Sequence, residues 1–141
     1  MLQDILVNVI ALRDYYHTAH VCAKNSVYYS DHLLLQRLYE ETDGYVDGIK
    51  EKMLGIGMGD ESVHLPTLYK KVFERIKDLP YAAKENAVYF TAALSLEETL
   101  KTLCAAVDKA EGTSVGVRNF VGDIADKSEG RCYLIKQRLA K

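Results

Sequence analysis

Apolar residues recur every three or four positions along most of this chain, which is the spacing of α-helices that bury one face. Four long segments show the pattern, at about residues 2–23, 27–54, 82–109 and 114–139. We therefore predict an all-α protein. The positions expected to face inward are Leu2, Ile5, Leu6, Val9, Ile10, Tyr16 and Ala19, then Leu34, Leu35, Leu38, Tyr45, Ile49 and Met53, then Ala87, Val88, Thr91, Leu94, Leu100, Leu103 and Val107, and finally Val117, Phe120, Val121, Ile124, Ile135 and Leu139.

The connections between these segments differ in length. Short breaks at Asn25–Ser26 and at Gly112 separate the first and last pairs of helices. A longer connection, about residues 56–80, contains one short amphipathic run at 67–77. Because a long connection allows a parallel crossover, this order predicts a four-helix bundle with a short helix in the crossover. One domain covering residues 1–141 is expected.

Composition narrows the class of protein. The chain has 141 residues, 48% hydrophobic and 27% charged, with a net charge of −2, which is typical of a globular protein and unlike a dedicated polyanion binder. Its three cysteines, Cys22, Cys104 and Cys132, have no paired spacing, so a reducing cytoplasmic location is expected. The first residues lack a basic region and include Asp4, so neither a signal peptide nor a membrane span is expected.

Four side chains able to bind a metal stand between residues 20 and 51: His20, His32, Asp47 and Glu51. Imidazole and carboxylate together suit a borderline divalent ion such as iron or zinc. Asp47 and Glu51 are four residues apart and therefore share one helix face. Exposed residues of these types are often merely solvated, and the spacing alone leaves that interpretation open.

The interval between His32 and Asp47 restricts how they could share an ion. On one continuous helix, fifteen residues separate them by about 22 Å, so one chain cannot bring both to the same metal. A second copy lying antiparallel, with a two-fold axis near Tyr39 and Glu40, would place His32 of one chain opposite Asp47 of the other. The spacing is therefore compatible with a site shared between two chains.

The pattern H-x11-H-x14-D-x3-E formed by these four residues resembles the ferroxidase signature of the Dps family, the mini-ferritins named for DNA protection in starved cells. The stretch LYEETDGYVDGIKEKMLGIG, residues 38–57, also resembles the family's helix B. The close likeness covers about forty residues, and the remainder agrees in helix pattern only. The resemblance implies a ferritin-like bundle, a hollow homododecamer, and sites that take both histidines from one subunit and both carboxylates from its two-fold partner.

The resemblance also implies a function. We expect a ferroxidase that oxidises Fe2+ with hydrogen peroxide at His20, His32, Asp47 and Glu51, stores the ferric mineral and protects against oxidative stress. Zinc is an alternative occupant of the site. Acidic residues such as Asp123 and Asp126 would line pores. The family often has a tryptophan after the first histidine, where this chain has Val21, so Tyr28 or Tyr29 would have to supply an aromatic ring.

Weaker features are interpreted conservatively. His17 and His20 form an H-x-x-H pair, but such pairs are common by chance. His17 is therefore expected to be a surface or interface residue and not a ligand. Glu61 and His64 imitate the E-x-x-H motif of larger ferritins, yet one copy in a loop is expected to be fortuitous. Cys22 is expected to be a small buried residue rather than a metal ligand.

DNA binding is not expected to be the main activity. The first helix begins almost at Met1, which leaves no basic tail there, and three cations near the other end, Lys136, Arg138 and Lys141, can serve the helix dipole. Two other functions remain open: a ferritin-like shell without enzyme activity that binds DNA or a partner, its site degenerate or filled with zinc, and a di-iron oxidase with its metals in the bundle core.

Overall fold

The computed structural model describes every residue from Met1 to Lys141. It contains five α-helices and no strands, in agreement with the predicted all-α class. The helices are α1 (Leu2–Cys22), α2 (Tyr28–Gly55), α3 (Leu65–Ile76), α4 (Ala87–Lys109) and α5 (Val115–Leu139). None of them is long and apolar enough to cross a bilayer.

Helix α1 lies at the centre of the packing, against α2, α3 and α4, while α5 packs mainly against α4. Every residue from Ile5 to Leu12 is buried, because neighbours surround this part of α1 on all sides. All seven positions predicted to be inward on α1 are buried. The first helix therefore supplies the largest share of the apolar core.

Polar contacts at one end of the bundle establish the direction of the helices. Asn86, which precedes α4, donates a hydrogen bond to Asp31 in the first turn of α2, with an N–O distance of 2.9 Å. Arg138, in the last turn of α5, donates to the same carboxylate at 2.6 and 2.8 Å. Helices α2 and α4 therefore start at the same end and run parallel, and the predicted crossover is confirmed.

The crossover is longer and its helix starts earlier than the sequence indicates. Helix α3 begins at Leu65 instead of residue 67, since Pro66 fits the first turn, where its missing N–H is not needed. A short 3-10 turn, Asp60–Val63, precedes it. Leu68 and Val72 are buried against the bundle as predicted, whereas Ile76 is only partly buried.

Two expectations for α4 were wrong. The helix begins at Ala87 and not near residue 82, because Ala82 has a left-handed backbone with φ of 52° that cannot continue into a helix. Val88 and Thr91, predicted to face inward, are exposed. The buried face of α4 contains the charged residue Glu97, so hydrophobic spacing alone does not identify this face. Its buried positions are Tyr89, Phe90, Ala93, Leu96, Glu97, Leu100, Cys104 and Val107.

Candidate metal site

His20 and His32 lie side by side where the end of α1 meets the start of α2. Their rings are stacked, with centroids 3.7 Å apart and planes inclined by 18°. Nδ1 of His20 lies 2.7 Å from the carbonyl oxygen of His32, and Nδ1 of His32 lies 2.8 Å from the carbonyl oxygen of His20. Each histidine therefore orients the ring of the other.

These reciprocal hydrogen bonds determine which nitrogen can bind a metal. A carbonyl oxygen only accepts, so each Nδ1 must carry the hydrogen and donate it. In the neutral ring, Nε2 then keeps its lone pair. Metal-binding histidines commonly have this arrangement, in which a hydrogen bond at one nitrogen orients the ring and selects the tautomer. Both rings are partly buried, so the pair is held in place and still reachable from outside.

Asp47 and Glu51 occupy the other half of α2. The helix is continuous from Tyr28 to Gly55, so Asp47 is about 22 Å from His32 along the axis. Both carboxylates are exposed and lie on one face. The fold thus brings the two histidines together and keeps both carboxylates away from them within one chain. Consistent with this separation, the chain contains no group of three or more His, Cys, Asp or Glu side chains close enough to hold a metal.

Aromatic rings extend the histidine pair in both directions. The ring of Tyr28 stacks on His32 at 5.0 Å between centroids. On the other side, His17 lies 6.2 Å from His20 and 4.7 Å from Tyr39. Of the two tyrosines that the sequence offers, Tyr28 contacts the histidine pair, whereas Tyr29 is 69% exposed and stacks on no other ring.

A buried polar cluster holds the two helix ends that carry the histidines. Asn86 accepts a hydrogen bond from the backbone N–H of Lys24 at 2.9 Å and donates to its carbonyl oxygen at 2.8 Å. Asn86 also donates to Asp31, the residue before His32, and Arg138 binds the same carboxylate from α5. The hydrogen bonds to Asp31 raise the pKa of Arg138. This cluster therefore fixes the end of α1 relative to the start of α2.

A second buried cluster fills the bundle core. Arg131 donates to Glu97 at 2.7 and 3.1 Å and to Glu41 at 2.7 Å. Ser128 and Tyr16 also donate to Glu97, at 2.6 and 3.0 Å. Burial alone would lower the pKa of Arg131, but the Glu97 carboxylate offsets it and the net shift is upward. A guanidinium thus stands among the core carboxylates, which does not favour a di-iron centre there.

The remaining candidates lie outside the histidine pair. Nδ1 of His64 is 2.9 Å from the hydroxyl of Thr67, and Glu61 lies in the 3-10 turn, so they belong to the crossover. Cys22 is a free thiol that is only partly buried, although the sequence predicts a buried residue. Asp123 and Asp126 are exposed on α5.

Comparison with solved structures identifies the fold as a ferritin-like four-helix bundle of the kind seen in Dps proteins. Dps from Microbacterium arborescens in its high iron form matches with a TM-score of 0.84 and 17% identity, over 99% of this chain and 90% of that one. Dps92 from Deinococcus radiodurans matches with a TM-score of 0.83 and 20% identity, over 96% and 81%. No protein-family model and no curated sequence matches the chain.

Sequence reasoning missed the residues that support the histidine pair. The sequence gives Arg138 only a role as a DNA-binding or dipole cation, and Asn86 falls within the helix predicted over residues 82–109 although it precedes α4 in the structure. The available signal was Asp31, an acidic residue on the inward face of α2 that needed a buried partner. Glu97 and Arg131 carry the same signal, because each is a charged residue at an inward helical position.

Proposed function

We propose that this protein is a Dps-type mini-ferritin that oxidises Fe2+ at sites shared by two subunits and stores the ferric product. His20 and His32 of one subunit, with Asp47 and Glu51 of its two-fold partner, would bind the iron. Hydrogen peroxide is the proposed oxidant and a closed homododecamer the proposed assembly. The three cysteines are free, which suits the proposed cytoplasmic location.

The observation that carries this proposal is the reciprocal pairing of His20 and His32. Two imidazoles oriented by backbone carbonyls offer Nε2 lone pairs, and no carboxylate of the same chain completes their site. Asp47 and Glu51 are exposed on a face of α2 that a second copy could cover. A two-fold axis midway between His32 and Asp47 brings both halves together.

The proposed chemistry follows from these side chains. Neutral imidazoles and ionised carboxylates hold Fe2+, and the carboxylates favour the ferric product because it carries more charge. One peroxide molecule takes one electron from each of two ferrous ions, and its O–O bond breaks without releasing hydroxyl radical. Water supplies the oxygen that completes the ferric oxyhydroxide, and protons are released. Tyr28 stacks on His32, with ring centroids 5.0 Å apart, and is the proposed aromatic neighbour of the iron site.

DNA binding is not part of the proposed function. Of the three cations near the C-terminus of α5, Arg138 is bound to the buried Asp31 and is not free to contact phosphate. Lys136 and Lys141 remain exposed. Because affinity for DNA grows with the number of phosphates neutralised, these two lysines of each chain would by themselves give only weak, salt-sensitive binding.

Anaerobic oxidation of Fe2+ provides the direct test of the proposed activity. Added peroxide should oxidise iron rapidly, with one peroxide consumed for each pair of ferrous ions, and the ferric product should stay with the protein on gel filtration. Oxygen alone should react more slowly. Iron that oxidises no faster with the protein than in buffer would rule out the ferroxidase and leave a non-enzymatic shell.

The shared site also predicts the size of the active particle. A dodecamer of the 15.9 kDa chain should have a mass of about 190 kDa in light scattering. Because each site needs two chains, conditions that dissociate the particle to monomers should abolish fast oxidation. A monodisperse monomer that still oxidises iron at full rate would contradict the inter-subunit arrangement.

A further inference from the structure

His17 is the one histidine whose ring nitrogens have no hydrogen-bond partner within the chain. His20, His32 and His64 each use Nδ1 in a hydrogen bond. The His17 ring is exposed, stacked toward His20 and close to Tyr39. It therefore has two available nitrogens and lies on the same surface as the proposed iron site, without a role in it.

The two-fold arrangement of the proposed function specifies what this ring would face. If His32 lies opposite the partner's Asp47, the two antiparallel α2 helices are in a fixed register. Any two residues that face each other across the axis then have residue numbers that add up to 79, as 32 and 47 do. Gln36 then lies opposite the partner's Asp43. Within one chain, His20 contacts His32 and Arg13 contacts Asp43, so α1 is antiparallel to α2. The partner's α2 is also antiparallel to this α2. Helix α1 therefore runs parallel to the partner's α2.

One helical turn from the iron site, toward the N-terminus of α1, there is therefore a second set of side chains able to bind a metal. One turn before His20 is His17, and one turn before the partner's Asp47 is the partner's Asp43. Gln36, one turn after His32, adds an amide oxygen at the same level. Asp43 is 54% exposed and only loosely paired with Arg13, at 3.5 Å, so its carboxylate can turn toward a cation.

We propose that His17 of one subunit and Asp43 of its partner form an auxiliary site for a divalent first-row transition ion, one helical turn from the ferroxidase site. Imidazole with carboxylate suits Fe2+, Co2+ and Zn2+. With fewer anionic ligands, this site binds more weakly than the main one and holds Fe2+ on its way to His20 and His32. The inference rests on the proposed two-fold site.

Anaerobic titration of the assembled protein with Co2+ tests the auxiliary site by counting bound ions. His17→Ala and Asp43→Asn should each bind about one Co2+ per chain fewer than the unmodified protein while keeping the tighter site. His64→Ala, which removes an exposed histidine in the crossover, is the matched control and should bind the full number. Light scattering checks that every variant assembles.

Kinetics with Fe2+ and peroxide supply an independent readout. His17→Ala should raise KM for Fe2+ roughly threefold or more and leave kcat within about twofold, because the main site is intact. A loss of Co2+ in His17→Ala without a loss in Asp43→Asn would assign the effect to stacking on His20 and overturn the auxiliary site.

The main site is judged separately with His32→Ala. If that variant loses tight Co2+ binding while His17→Ala binds the full number, the auxiliary site is overturned and the proposed function stands. If neither variant changes the number bound, the two-fold site fails and the auxiliary site fails with it.

Discussion

His32→Ala and Asp47→Ala should each slow peroxide-driven Fe2+ oxidation by at least about a hundredfold. Mutating a residue that only hydrogen-bonds to a metal ligand commonly lowers metal affinity or activity about 10–100-fold, and loss of a ligand itself should cost more. Mixing the two variants should restore part of the rate. In a mixed two-fold pair, one site combines both defects, whereas the other joins an intact His32 to an intact Asp47. Random reassembly in equal amounts makes about a quarter of all sites whole.

The measurement is the initial oxidation rate after the two variants are unfolded together and reassembled. Each variant reassembled alone should stay inactive, and His64→Ala reassembled alone should match the unmodified protein. If mixed shells verified by mass spectrometry recover no activity, the ligands do not come from two chains, and the arrangement inferred from the fifteen-residue spacing is wrong.

Arg131→Met should lower the free energy of unfolding by about 3–5 kcal/mol, because it leaves the Glu97 carboxylate buried without its counter-charge. For a chain of this size the loss corresponds to a fall in Tm of about 10 °C or more. Thermal unfolding followed by circular dichroism at fixed chain concentration measures it. The concentration must be fixed because subunit association also stabilises the fold.

Two further variants test whether the loss of stability comes from leaving a buried charge unpaired or from removing any ion pair. Lys101→Met removes an exposed ion pair with Glu98 and should cost less than about 1 kcal/mol. Adding Glu97→Gln to Arg131→Met should recover part of the loss, because a neutral amide can still accept from Ser128 and Tyr16. If Arg131→Met is as stable as Lys101→Met, the Glu97 carboxylate does not depend on the guanidinium.

The separation of His32 from Asp47 within one chain could be anticipated from spacing. Because α2 is continuous, the fifteen-residue interval alone excludes a site shared by His32 and Asp47 within one chain, and the helix bounds agree with that premise. What spacing could not supply is how His20 and His32 are oriented. Their ring-to-carbonyl hydrogen bonds connect residues twelve apart across two helices, so they exist only after α1 and α2 have packed.

The charged residues of the interior show the same division. Glu97 and Arg131 interrupt the apolar pattern of α4 and α5, and hydrophobic spacing alone cannot show that each neutralises the other. Their separation of 34 residues makes the pairing a property of helix packing. The same holds for Arg138: its position in the last turn of α5 favours a surface role, but helix packing brings it to Asp31.

The sequence by itself determined the all-helical class, the approximate extent of the long helices, and the crossover with its short helix. These depend on interactions between residues a few positions apart, which the helical repeat makes visible. The tertiary structure decided where α4 starts, which of its faces is buried, how the histidine rings are held and which charges neutralise one another. Those outcomes depend on contacts between residues far apart in the chain, and such contacts form only when the helices pack.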